Sequence, residues 1–316
     1  MEEFNYYEFE YHRCLPEYDD EDEDDDCSNF DDVVDFDDIK HFYLQDYRCK
    51  VEEIHGYGDF EDQIKNKSGR RSRFFGTELE IEFDCSIIAK ARTAEYVAME
   101  IQDVLEISIP CYDGSIAKGV DNRSGFEIKT RPDNIENTLK ELKSVCDFAL
   151  KHKRGFYGHE TDGRCGFHVH VSRASLSPSQ EVKLYLFMHD VSNRKLIKAV
   201  MRRYDVSYAT TRVVTTGVIS KLLIPSAKDG RMLNRFRSEC LNFTSKTLEF
   251  RGGRSTLKIE SLQVTLEFIN ALLAFTAPAT VGIKNRNSEG FIAWLQTQHG
   301  FKTLKNKIAS SDLARK

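Results

Sequence analysis

Four short segments of the chain alternate apolar with polar or charged residues, which is the pattern of a β-strand that buries one face. They are residues 75–84, 125–130, 166–172 and 246–251. Apolar residues at helical spacing predict helices over 93–107, 134–153 and 257–275. Ser177-Pro178 favours a further helix running towards Arg203, because serine caps and proline opens helices. Strands with one polar face suit a largely antiparallel sheet with helices on its other face, so we predict an α+β fold.

The polar side of these strands collects side chains that can bind metals. They are Glu78, Glu80 and Glu82 on the first strand, Glu127 on the second, His168 and His170 on the third, and Glu249 with Arg251 on the fourth. Neighbouring carboxylates on one strand face lie about 6.8 Å apart and, if partly buried, repel by about 2.4 kcal/mol at an effective dielectric near 20. Each motif alone is more typical of a solvated face or a structural histidine. If the strands share a sheet, their joint pattern predicts a site for Mg²⁺ or Mn²⁺ rather than Zn²⁺, since most ligands are oxygens.

Charge divides the chain into an acidic arm and a basic body. Residues 1–62 hold 24 acidic and 4 basic side chains, which leaves 27 acidic and 41 basic for residues 63–316. We therefore expect residues 1–64 to form a disordered or loosely docked acidic arm, 65–73 a basic linker, and 74–316 the folded body. A basic body attracts nucleotides, carboxylates or nucleic acid, and the arm is predicted to bind a basic surface, its own body included.

Composition excludes several other classes. The longest apolar stretch, 268–283, is interrupted by Asn270 and Pro278 and is too short to span a membrane. The acidic N-terminus predicts no secretory signal. The eight cysteines contain no Cys-x-x-Cys pair, so we expect reduced thiols and a cytoplasmic location.

Four motifs resemble, in order, those of the amidoligase family, which are carboxylate-amine ligases of the glutamine synthetase and glutamate-cysteine ligase superfamily. The motifs are Phe75-Gly76-Thr77-Glu78-Leu79-Glu80; Asp113-Gly114-Ser115-Ile116 with Gly125-Phe126-Glu127-Ile128; Cys165-Gly166-Phe167-His168-Val169-His170-Val171; and Leu241-Asn242 with Thr247-Leu248-Glu249-Phe250-Arg251. The resemblance covers residues 75–256 and leaves out the acidic arm. It implies a glutamine synthetase-like catalytic domain over 74–316.

The resemblance also implies roles for the site residues. Two or three Mg²⁺ would be held by Glu78, Glu80, Glu127, His168 and Glu249. Arg251 would contact the transferred phosphate, and His170 would lie near the nucleotide or acyl phosphate. Because Thr247 stands where glutamine synthetase has an arginine, a further phosphate-facing cation would come from Arg235 or Arg237, with Arg231 and Arg203 as alternatives. Lys129-Thr130-Arg131-Pro132 departs from the family, which has small residues and proline there.

The implied activity is amide-bond formation from a carboxylate and an amine, driven by ATP through an acyl phosphate. Phosphoryl transfer of this kind depends on positioning and on charge neutralisation, and Glu82 or Asp113 would accept the proton of the attacking amine. We expect small-molecule or peptide substrates, and homo-oligomers stay open because glutamine synthetases form rings. Alternatives are a guanidino or amine phosphotransferase, a nucleic-acid-binding module, which a row of carboxylates disfavours, and a zinc hydrolase built on His168 and His170.

Overall fold

The computed structural model describes just over half of the chain. The described residues are 74–84, 94–105, 108–111, 113, 116, 123–151, 156–157, 165–204, 206–207, 209–211, 238–244, 247–277 and 287–311. The acidic arm, the basic linker and the three candidate arginines Arg231, Arg235 and Arg237 lie outside these residues.

Seven strands form one sheet in which every described pair is antiparallel. The strands are β1 (Phe75–Asp84), β2 (Ser108–Cys111), β3 (Arg123–Thr130), β4 (Phe156–Tyr157), β5 (Gly166–Ser172), β6 (Leu241–Phe243) and β7 (Thr247–Arg254). Their order is β2-β3-β1-β5-β7-β6, and β4 pairs with the end of β1. The four predicted strands are therefore neighbours in the middle of one sheet.

Helices cover one face of this sheet. They are α1 (Ala94–Gln102), α2 (Ile135–Lys151), α3 (Pro178–His189), α4 (Arg194–Met201), α5 (Ile259–Thr276), α6 (Ser288–Thr297) and α7 (Lys302–Ala309). The apolar helix α5 lies at the centre of the helical layer and contacts α2, α3, α4, α6 and α7. The sheet's apolar face packs against this layer in one core, with Leu79, Phe126, Val169 and Phe250 fully buried. The predicted α+β fold is confirmed.

The helix predicted to run from Ser177 towards Arg203 is two helices. It begins as expected, because the Ser177 hydroxyl accepts a hydrogen bond from the Gln180 amide at 3.2 Å and Pro178 occupies the first turn. It ends at His189, because Asp190 takes an extended conformation and its carboxylate accepts the Ser192 amide of a 3₁₀ turn, Val191–Asn193. An aspartate that caps a new turn competes with continuation of the helix.

Two further findings concern the hydropathy of the helices and the state of the cysteines. None of the helices in the described ranges is both long enough and apolar enough to cross a membrane. Four of the cysteines, Cys111, Cys146, Cys165 and Cys240, lie in the described part, and each is a buried free thiol.

Candidate active site

The register of the central strands brings the predicted polar residues together on the sheet face opposite the helices. In β1, Glu78 lies between Lys129 of β3 and His168 of β5, and Glu80 lies opposite Glu127. Across the next pair, His170 of β5 lies opposite Glu249 of β7, which is also paired with Asn242 of β6. Successive strand residues point to opposite faces, so these side chains share one surface.

This surface is buried, which distinguishes it from an ordinary solvated strand face. Glu80, Glu82, Glu127 and Glu249 are 4–7% exposed, and His168 is 3% exposed. Buried carboxylates are costly unless cations or hydrogen-bond donors compensate them. Carboxylates this deeply buried need positive charges or hydrogen-bond donors beside them.

The centre of the surface is a cluster of two carboxylates and one imidazole. One ligand atom from each of Glu78, His170 and Glu249 lies within 4.8 Å of the other two. His170 Nε2 is 3.5 Å from Glu78 Oε1, and His170 Nδ1 is 3.1 Å from the Thr247 hydroxyl. These distances place potential ligand atoms from three different strands around one point.

Glu249 is positioned by two neighbouring side chains. Asn242 Nδ2 donates a hydrogen bond to Glu249 Oε2 at 2.8 Å, and the Arg251 guanidinium donates to Glu249 Oε1. Hydrogen bonds to both oxygens fix the plane of the carboxylate, as partners of a binding carboxylate commonly do. Arg251 thus lies beside the cluster, where the resemblance implies a phosphate contact.

Charges around the cluster shift its titration. Burial by itself would raise the pKa of Glu78, but hydrogen bonds from His168 and His170 hold it well below its usual value. The pKa of Glu249 is also lowered, because His170 and Arg251 outweigh the effect of burial. Conversely, the pKa of His170 is raised, because Glu78 and Glu249 outweigh a burial effect that lowers it. The cluster is thus built to keep its carboxylates ionised.

His168 is surrounded by charged side chains rather than directed at open space. Its Nδ1 lies 3.2 Å from Glu78 Oε2 and 3.6 Å from Glu249 Oε1. Its Nε2 lies 3.6 Å from Glu80 Oε1 and 3.4 Å from Arg203 Nη1. A guanidinium can only donate, so this contact favours the tautomer in which Nε2 accepts and Nδ1–H donates to Glu78. Both ring nitrogens therefore have protein neighbours, and His170 is the histidine of the three-residue cluster.

Arg203 enters the site at the Glu80 end, and Gly166 makes room for it. Arg203 Nη1 lies 4.0 Å from Glu80 Oε2, and the Gly166 amide donates to the same carboxylate oxygen. A Cβ at position 166 would lie 1.8 Å from Arg203 Nη1 and 2.5 Å from His168 Nε2. Only glycine fits beneath this guanidinium and imidazole, which gives Gly166 a steric role in the site.

Lys129 supplies a second internal cation at the opposite side of Glu78. Its Nζ lies 2.7 Å from Glu127 Oε1 and 3.3 Å from Glu78 Oε1. The pKa of Lys129 is raised, because the two carboxylates outweigh the burial that would lower it. Burial and the nearby Glu78 charge raise the pKa of Glu127 to about 8. A single ammonium is shared by two carboxylates, so Glu127, the partner without histidine neighbours, is the weaker acid.

The remaining predicted residues lie around this core of the site. Glu82 is on the same strand face as Glu80 and is buried like it. Burial raises the pKa of the Cys165 thiol, and the Glu82 charge raises it further. The Asp113 carbonyl accepts the Ile116 amide at 3.1 Å in the expected turn, and the Asp113 charge adds to the rise in the pKa of Glu127. Asp113 therefore belongs to the Glu127 side. The phosphate-facing roles of Arg235 and Arg237 stay predictions outside the described residues.

Sequence reasoning treated some of the site's residues in other ways. The spacing of Lys129 from Glu127 puts both on one strand face and by itself predicts a solvated pair, whereas the structure holds the Lys129 ammonium between two carboxylates. Asn242 lies in β6, which is too short to show a period of two. Gly166 carried no signal for its steric role, because the side chain that fills its space comes from Arg203, which belongs to the loop after α4.

Comparisons with known proteins provide only a distant likeness. No family model matches the chain, and no curated protein matches it. Among solved structures, the crystal structure of a novel glutamine synthase homolog is similar with a TM-score of 0.36 and 12% sequence identity. The match covers 78% of this chain and 64% of that one, so the chain spans less than two thirds of that protein's length.

Proposed function

We propose that the protein is an ATP-dependent carboxylate-amine ligase that requires Mg²⁺ or Mn²⁺. The observation that carries the proposal is the partly buried cluster of Glu78, His170 and Glu249 on the polar sheet face, with ligand atoms within 4.8 Å of one another. Arg251 stands beside it, joined to Glu249. The order of motifs along the chain, which resembles that of the amidoligases, gives the cluster this particular chemistry.

The donor set fits a divalent cation that prefers oxygen ligands. Two carboxylates and one imidazole leave room for substrate phosphates, which is how Mg²⁺ is usually held in nucleotide-dependent enzymes. The lowered pKa values of Glu78 and Glu249 keep both ligands ionised at neutral pH. A bound cation of this kind would neutralise phosphate charge.

The protein's own side chains would orient the reactants around that point. Arg251 is a fixed cation. Its N–H groups that are not bonded to Glu249 can donate to a phosphoryl oxygen. Glu82 and Asp113 lie towards one end of the polar face, and we propose that one of them accepts the proton lost by the attacking amine. The substrate carboxylate first takes the γ-phosphoryl group of ATP and ADP leaves; the amine's lone pair then forms the C–N bond, phosphate leaves with the electron pair of the C–O bond, and the nitrogen gives its proton to the Glu82 or Asp113 carboxylate.

ADP release with a panel of carboxylate and amine pairs tests the proposal. The full chain should release ADP in the presence of Mg²⁺ only with a suitable pair, and the products should be an amide and free phosphate. Glu249→Gln should lower that rate at least about 100-fold, since even outer partners of metal ligands typically contribute 10–100-fold. Glu136→Gln, which changes an exposed carboxylate at the start of α2, is the matched control and should retain the rate.

Two results would contradict the proposal. One is a folded Glu249→Gln protein with unchanged turnover. The other is a stable phosphorylated acceptor in place of free phosphate and amide, which would identify a guanidino or amine phosphotransferase instead. Binding to nucleic acid that weakens steeply with salt and ignores Mg-ATP would favour the non-enzymatic alternative.

A further inference from the structure

Lys129 lies where two neighbouring strands each present a carboxylate. Lys129 of β3 is paired with Glu78 of β1 and follows Glu127 by two positions on its own strand, so all three side chains share the polar face. Its Nζ approaches Glu127 Oε1 to 2.7 Å and Glu78 Oε1 to 3.3 Å, and the side chain is 23% exposed. A mostly buried ammonium thus bridges two carboxylates that the resemblance assigns to metal ions.

We infer that the Lys129 ammonium is a built-in replacement for one divalent cation. The ammonium fills the position between Glu78 and Glu127, so Glu127 is not a metal ligand. The face therefore binds one divalent ion, which Glu78, His170 and Glu249 hold. This inference deepens the proposed function and rests on it for the identity of the central ion.

Geometry and charge support the replacement. A divalent ion held by the same two oxygens would occupy the gap that Nζ already occupies, and a doubly charged ion beside an ammonium is strongly repelled. Within the described part of the chain, one group of His, Cys, Asp and Glu side chains has ligand atoms close enough to share an ion, and Glu127 is not a member of it. Glu78 is the residue common to both positions, since its Oε1 lies 3.3 Å from Lys129 Nζ and 3.5 Å from His170 Nε2.

The replacement also accounts for a departure noted in the sequence. Lysine stands at position 129, at the start of the Lys129-Thr130-Arg131-Pro132 stretch that differs from the amidoligase pattern. An ammonium carries one positive charge and has three hydrogen-bond donors, two of which face Glu127 and Glu78, so it neutralises these carboxylates with half the charge of a divalent ion. We therefore expect the Glu127 end of the face to bind no metal ion.

Counting bound Mn²⁺ tests the inference without any turnover. The full-length protein, stripped of metal and titrated with MnCl₂ alone, should bind one ion per chain, as measured by the electron paramagnetic resonance of free Mn²⁺. Lys129→Gln should bind two, the second at least tenfold more tightly than any second ion in the unchanged protein. Its thermal midpoint should also fall in EDTA and recover in Mn²⁺. Lys143→Gln, which removes an exposed lysine paired with Asp147 on α2, should behave like the unchanged protein.

Glu127→Gln decides the matter if Lys129→Gln does not fold. With Glu127 outside the metal site, this variant should bind one Mn²⁺ with unchanged affinity, whereas a tenfold or larger loss would overturn the inference. Two ions of similar affinity in the unchanged protein, or a single ion in folded Lys129→Gln, would overturn it as well. Two ions together with substrate-dependent ADP release would refute only the inference, and one ion without ADP release from any pair would refute only the proposed ligase activity.

Discussion

Replacing Gly166 by alanine tests whether Arg203 belongs to the buried polar face. The new methyl group would lie 1.8 Å from Arg203 Nη1 and 2.5 Å from His168 Nε2, so the guanidinium has to leave. Arg203 is 3% exposed, and moving its guanidinium away from the new methyl group takes it from its position beside Glu80. The substitution therefore converts a steric change on β5 into the loss of a charge contact.

The size of the effect follows from the distance between the two charges. Arg203 Nη1 and Glu80 Oε2 are 4.0 Å apart, and two unit charges at that separation interact by about 4 kcal/mol at an effective dielectric near 20. We expect Gly166→Ala to lower the free energy of unfolding by about 2–4 kcal/mol, because Glu80 remains buried with one cation fewer. The backbone amide of residue 166 still donates to Glu80 in the variant, which limits the loss of stability.

Gly76→Ala is the matched control, since it adds the same methyl group to the neighbouring strand on the same face. Its nearest contacts would be 3.7–3.8 Å, which is ordinary packing. Alanine restricts the unfolded chain, so this variant should be neutral or more stable by up to about 1 kcal/mol. Urea unfolding followed by circular dichroism, in EDTA, measures both variants. If they have the same unfolding free energy, Arg203 does not occupy the space above Gly166.

Three further predictions concern stability. Burial is the main reason that the pKa of the Cys146 thiol is raised from 9.0 to about 12, so between these two values the thiol ionises in the unfolded state only. Between neutral pH and pH 10, the unfolding free energy of the unchanged protein should therefore fall by about 1.4 kcal/mol more than that of Cys146→Ala, as measured by urea unfolding. Glu78 and Glu249 have lowered pKa values, so their stabilisation is complete above pH 4.5 and is lost below it as each is protonated; in EDTA, Glu249→Gln should show a shallower loss of unfolding free energy between pH 5 and pH 3. Ser177→Ala removes the cap of α3 and should cost about 1 kcal/mol in the same assay.

The strands that carry the site could be predicted because their alternation is strong. In β1 and β5 the predicted bounds coincide with the observed ones, Phe75–Asp84 and Gly166–Ser172. Two strands, β4 with two residues and β6 with three, are too short to show a period of two. The break after His189 was missed because the apolar pattern continues across it, while the Asp190 side chain forms a local hydrogen bond that ends the helix.

The composition of the site could be predicted better than its pairings. Alternation places a side chain on a face, but the register between strands depends on residues far apart in the chain, and a slip would change every partner. That Glu80 faces Glu127, or that Lys129 faces Glu78, is therefore visible only in the fold. Arg203 reaches His168 from 35 positions away in sequence, and no local pattern indicates such a contact.

The end of α4 determines where the Arg203 side chain starts. After α4 the chain returns to the sheet, where the Arg203 amide donates to the Gly252 carbonyl at 3.1 Å while its guanidinium extends to His168. Because the Arg203 backbone is anchored to β7 while its guanidinium reaches β5 and Glu80, the point at which the chain rejoins the sheet determines which charge meets the glutamates of the opposite face.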